Sequence, residues 1–90
     1  MRVPLADWMT PTDRAILERL QNEGNDELVL TPGLIAENTD YARTTIREHV
    51  SELRDHGLIE YHDESRAIYR LSELGHGYLA GEISPEELED

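Results

Sequence analysis

Arg43, Arg47 and Arg54 recur at helical spacing within the run NTDYARTTIREHVSELRDHGLI, residues 38–59. Glu48, Glu52 and Asp55 form a second stripe in the same run. Within this helix no arginine has an acid three or four positions away, where helical side chains meet. Arg43 and Arg47 are instead four apart, and like charges so placed cost roughly 0.2–0.5 kcal/mol. With 20 acids and eight basic residues in the chain, pairing them would have been easy. Elsewhere it is done: Glu18 follows Arg14 by four, and Glu23 follows Arg19 by four. Arginines kept clear of acids are available to an external anion, most simply a DNA phosphate or a guanine edge. The alternative is a solvated face on which Asp40 pairs with Arg43 across the helix start. Thr44 and Thr45 stand near that start, where a threonine can donate to phosphate or set its methyl against thymine. Glu48 could accept from cytosine N4.

Catalysis has little to build on. The histidines are His49, His56, His62 and His76. His49 and His56 share a helix face but lie two turns apart, too far for one metal. No nucleophile elbow, P-loop or glycine-rich phosphate cradle occurs. His62 and His76 could meet only through the fold. The chain is therefore expected to be no enzyme, with no catalytic residue, no cofactor and no metal site.

The elements that must position these side chains follow from periodicity. Ala42, Ile46, Val50 and Leu53 fall on one helical face, giving a helix over residues 41–56. Gly57 stops it cheaply, and Leu58 and Ile59 open a buried strand. A long helix, a glycine stop and an apolar strand are what a winged helix shows at its recognition helix. Upstream, Thr10, Pro11 and Asp13 have cap, N1 and N3 character, and Ile16, Leu17 and Leu20 supply the buried face. That first helix ends near Asn22 and Gly24, and 25–27 is a polar turn. Residues 28–30 read as a short first strand. Thr31 and Pro32 start a brief second helix, whose apolar residues are Leu34, Ile35 and Ala36. The turn 38–40 completes a helix-turn-helix, with Thr39 or Asp40 as the N-cap of the third helix. Tyr41 is suited either to the core or to a phosphate. Residues 58–71 form a β-hairpin, the wing, with Arg66 beside acids at its tip and available to DNA backbone. Ser72 caps a last helix through Ala80 that Gly81 ends. Gly75 and Gly77 each cost it roughly 0.5–1 kcal/mol, so it depends on packing. Ser84, Pro85 and Glu87 repeat the cap pattern in a loosely held acidic tail.

The segment YARTTIREHVSELRDHGLIE resembles the recognition helix of MarR- and ArsR-like winged-helix regulators. The longer LTPGLIAENTDYARTTIREHVSELRDHGLIEY is more similar to the small phage-repressor-like winged-helix proteins of halophilic archaea and their viruses. The resemblance runs from about residue 8 to about residue 82. It implies a DNA-binding transcriptional regulator, and by position it points to Tyr41, Arg43, Thr44, Thr45, Arg47 and Glu48 as DNA-contacting residues.

Composition bounds the rest. Ninety residues make one small domain, and 38% hydrophobic content without Phe implies a modest core that dimerisation would enlarge. The absence of cysteine excludes disulfides and thiolate metal sites. No apolar run is long enough to span a membrane, and the start MRVPLADWMT lacks the apolar stretch of a signal peptide. A cytoplasmic protein is expected. The net charge is −12, and every basic residue is arginine. An acid excess without lysine resembles proteins of salt-in halophiles, where molar salt shortens the Debye length to roughly 3 Å and screens self-repulsion. A DNA mimic should concentrate its acids, whereas here they are spread along the chain.

The expectation is an α+β, mostly α, winged helix-turn-helix of order α-β-α-α-β-β-α. It divides into an N-terminal arm (1–9), the DNA-binding domain (10–82) and an acidic tail (83–90). The expected activity is sequence-specific transcriptional regulation, with helix 41–56 reading the major groove of double-stranded DNA as a homodimer. Repression is what the resemblance implies. The rival is an acidic winged helix that docks a basic protein without binding DNA. Acids should dominate its third helix, yet residues 41–56 hold three arginines and three acids.

Overall fold

Thr10 begins the first helix with an extended backbone (φ −125°, ψ 170°), and Pro11 follows at N1, where its missing N–H costs nothing. In the computed structural model, which describes residues 4–22, 26 and 28–89, α1 spans Pro11–Gln21. The Thr10 N–H donates to Asp13 Oδ2 at 2.8 Å. Ile16, Leu17 and Leu20 are fully buried, and Asn22 closes the helix in the left-handed region at φ 49°. The expected stop at Gly24 and the Arg19–Glu23 pair lie outside the described residues.

The segment 28–30 contributes less than a full strand. Leu30 alone bridges to Tyr69, through Leu30 N–H to Tyr69 O (3.0 Å) and Tyr69 N–H to Leu30 O (2.8 Å). Thr31 and Pro32 halt it at once by starting α2, Pro32–Glu37, in which the Leu34 N–H donates to Thr31 Oγ1 at 3.2 Å. Ile35 is the buried residue of this short helix, whereas Leu34 is left 44% exposed.

The helix α3 runs Arg43–Asp55, two residues shorter at its start than the periodicity suggests. Its N-cap is Ala42, which has no side chain to offer, rather than Thr39 or Asp40. Thr39 is spent on the turn: its hydroxyl donates to Ala36 O and accepts from the Tyr41 N–H, both at 3.4 Å. Tyr41 packs half-buried against the core that holds Ile46. These are the N′ and N4 positions from which a hydrophobic staple fixes chain entry. Ala42 is consequently exposed, and the buried stripe is Ile46, Val50 and Leu53.

Gly57 ends α3 at φ 79°. The Leu58 N–H reaches Leu53 O (3.0 Å) and the Gly57 N–H reaches Arg54 O (2.9 Å), the paired bonds of a Schellman stop. Strands β1, Ile59–Asp63, and β2, Ile68–Leu71, pair antiparallel with Ile59 opposite Leu71 and Tyr61 opposite Tyr69, and a bulge lies between Tyr61 and Asp63. Ser72 caps α4, Glu73–Leu79, by accepting from the Gly75 N–H at 3.0 Å. Gly75 is required there, because a Cβ would stand 2.2 Å from Leu58 O.

Both ends of the described chain close on this body. Ala6 and Met9 are buried, and Tyr78 Oη donates to Pro4 O at 2.6 Å. A short 3-10 helix, Pro85–Leu88, follows α4, with the Ser84 N–H donating to Glu87 Oε2 at 2.9 Å. Leu88 is buried, its carbonyl accepts from Trp8 Nε1 at 2.9 Å, and Glu89 Oε2 accepts from the Asp7 N–H at 2.8 Å. The tail is thus strapped to the arm, not loose as its acidity suggests. The apolar Leu88 and a paired carboxylate outweigh charge spacing.

Candidate nucleic-acid interface

Burial of Ile46, Val50 and Leu53 forces the opposite side of α3 into solvent. Arg43, Thr44, Arg47 and Glu48 are all exposed there. Thr45 is half-buried. It lies one helical turn from His49 and shares that flank, which faces α1. Tyr41 lines a separate polar cleft with Arg19, Asn38 and Asp40.

The arginine stripe divides. Arg54 leaves it for β1, its guanidinium carbon 5.0 Å from the centre of the Tyr61 ring, in cation–π geometry. Tyr61 in turn stacks on Tyr69 with ring centres 4.8 Å apart. Arg43 and Arg47 stay together and meet Arg66, which the hairpin carries back to them. The three line one cleft of about 320 Å³, walled by Thr31, Pro32, Gly33 and Ala67. Among the described residues no acid stands within ion-pair distance of Arg43 or Arg47, and Asp40 does not close on Arg43.

Arg66 is held more loosely than its neighbours suggest. Its Nη1 lies 3.7 Å from Asp63 Oδ2, with the Arg66 side chain 74% exposed. Asp63 is occupied mainly with its own turn, accepting from Ser65 Oγ at 2.8 Å and from the Arg66 N–H at 3.3 Å. The Ser65 hydroxyl first, then the Arg66 N–H and the Arg66 charge, hold the Asp63 carboxyl below its ordinary pKa. Glu60 is paired elsewhere, cross-strand to Arg70 at 2.7 Å. No acid is among the described residues that line the cleft.

Behind the exposed face, α3 is moored by long-range contacts that no local spacing encodes. His49 Nδ1 lies 2.9 Å from Oδ1 of Asp13, a carboxylate with no solvent exposure. The same carboxylate accepts from the Thr10 N–H and hydroxyl, so one residue caps α1 and ties it to α3. His56 stacks on Trp8 with ring centres 3.8 Å apart. His49 and His56 thus hold α3 against α1 and the arm. Among the described residues no group of three or more potential ligands is arranged to hold an ion. Nor is any described helix long and apolar enough to cross a membrane.

A family model described as winged helix-turn-helix phage repressor matches residues 1–90. The chain is similar to the repressor protein of Halobacterium phage phiH, at 42% identity over 84 residues, 92% of this chain and 92% of the relative. It is also similar to the crystal structure of the PhiH1 repressor-like protein from Haloarcula marismortui, with a TM-score of 0.72 and 30% identity. That match covers 94% of this chain and 91% of the other. The family is one of repressors, not enzymes. A helix-turn-helix with a hairpin wing, matched over its full length at this level of identity, makes the chain a member of the winged helix-turn-helix phage repressor family.

Proposed function

We propose that this chain is a sequence-specific DNA-binding transcriptional repressor of a halophile, acting in the cytoplasm. It lays α3 in the major groove as a homodimer on a near-palindromic site. Occupancy of the promoter then excludes polymerase. One observation carries this reading. In a chain of net charge −12, the fold gathers Arg43, Arg47 and Arg66 beside the exposed face of the recognition helix and keeps acids away from the first two. Thr44 and Glu48 lie outward on that helix, placed for base edges, and Thr45 and Tyr41 support its start. The membership in a repressor family supports the same reading.

The test is binding of the purified protein to duplex DNA from its own promoter region in molar KCl, beside an Arg43→Ala/Arg47→Ala variant. Wild-type binding is expected, with a loss of at least about tenfold, or ~1.4 kcal/mol, in a variant whose circular dichroism is unchanged. Absence of binding at every salt concentration would overturn the reading and leave the acidic surface as a docking face for a basic protein.

A further inference from the structure

Each described glycine but one has a local reason to be glycine. Gly57 and Gly81 sit at φ 79°. Gly75 abuts the Leu58 carbonyl, and a Cβ on Gly77 would press on Ile83. Gly33 has an ordinary negative-φ helical place at the second position of α2, where alanine is the better helix former. A Cβ on Gly33 would meet Arg43: Nη2 at 3.2 Å, Nε at 3.4 Å and Cζ at 3.5 Å. All three nearest atoms belong to that one guanidinium, so the bare backbone of Gly33 is the floor on which Arg43 rests.

We propose that Gly33 is a positioning residue for Arg43, and that Arg43, Arg47 and Arg66 together grip a single phosphodiester of the DNA backbone. This rests on the DNA-binding reading above. The choice of phosphate over base follows from how the cations are arranged. A base edge takes one planar fork from one arginine. Here three arginines from two separate elements line one concave place, and of the three only Arg66 has an acid within ion-pair distance among the described residues, so the place calls for concentrated negative charge. A phosphate supplies that charge and accepts several N–H donors at once. The cleft lies to one side of α3, so the outward Thr44 and Glu48 are free for base edges while the clamp fixes register.

Three variants and one modified DNA test this in molar KCl. Gly33→Ala displaces the flexible guanidinium, not the backbone, so its thermal midpoint should be unchanged or higher. Its DNA affinity should fall severalfold, toward that of Arg43→Ala, and the two changes combined should lose no more than Arg43→Ala alone. Arg43→Ala and Arg66→Ala should weaken operator and unrelated duplex by similar factors, as phosphate contacts do. Replacing one backbone position per half-site by an uncharged methylphosphonate should erase the difference between wild type and both arginine variants. Full affinity in Gly33→Ala, additive losses, or coupling of Arg43 and Arg66 to different phosphates overturns the clamp while wild-type operator binding still stands. Loss confined to one base pair would make Arg43 a base reader and overturn it likewise. A wild type that binds no duplex overturns this inference together with the reading beneath it.

Discussion

Ala67 holds φ 53° at the end of the wing turn, where its N–H reaches Glu64 O at 3.2 Å. A left-handed backbone places an L residue's Cβ too near the following carbonyl, at about 1–2 kcal/mol. Glycine avoids that cost and gives back part of it as extra freedom in the unfolded chain. Ala67→Gly should therefore stabilise the protein by up to ~1 kcal/mol, read as a higher urea midpoint with an unchanged slope. A lower midpoint would show that the Ala67 methyl, in the wall of the arginine cleft, packs usefully enough to outweigh the strain. Single residues also show where sequence reasoning stops. Asp13 is legible as an N3 acid of a capping box, but nothing in the sequence announces that its second oxygen meets His49, 36 positions away. Arg43 and Arg47 are legible as unpaired cations because a helix has a fixed period. Their meeting with Arg66 depends on how the hairpin turns, which no local spacing encodes.

Helices that begin with a hydroxyl residue and proline were readable to the residue, because cap and N1 chemistry are local. The start of α3 was not, since its cap is an alanine and its position is set by Tyr41 packing on the core. The first strand shrank to one bridge at Leu30 because Thr31 and Pro32 already belong to the next helix. The two glycines of α4 were readable only as a cost. The structure gives the compensation at Gly75, where the helix lies directly on the β1 entry. Gly75→Ala should then destabilise by roughly 1–3 kcal/mol, despite alanine's better helix propensity, and chemical denaturation would show it. A gain in stability would mean that α4 can move off Leu58 without loss. The hairpin makes its own prediction about base. Burial first, and then the neighbouring Tyr61, push the Tyr69 hydroxyl up from 10 to about 12. With the folded value above the unfolded one, stability is intact below pH 10. It is lost as the pH climbs toward 12, because the unfolded chain gives up that proton first. Denaturant midpoints followed from pH 9 to 12 should fall more steeply for wild type than for Tyr69→Phe. Equal slopes would place the loss with other tyrosines, Tyr78 among them, which burial also raises.

Charge acts at the scale of the whole molecule. At net −12 the folded chain repels itself and repels DNA, and both effects reach about 10 Å at 0.1 M salt but only ~3 Å at 1 M. Self-repulsion destabilises the compact state, so the thermal midpoint should rise between 0.1 M and molar KCl. For DNA binding, the release of counterions and the screening of repulsion should oppose each other, unlike in an ordinary basic repressor. A protein that covers many phosphates loses affinity steeply with salt through the counterions it releases, with a slope near −0.9 per phosphate. If each subunit clamps one phosphate with three arginines, the release term is small. Screening of the chain's excess negative charge then works against it. The logarithm of affinity against the logarithm of KCl concentration should be shallow, about −2 or flatter for a dimer, and can turn positive as long-range repulsion is screened away. The Arg66→Ala variant separates the two contributions. It weakens the clamp without adding an acid, so it should lower affinity at every salt while leaving the repulsive part of the curve in place. A steep decline in the wild type, of the size seen for proteins making six to ten phosphate contacts, would mean that a broader cationic surface meets DNA than this cleft provides.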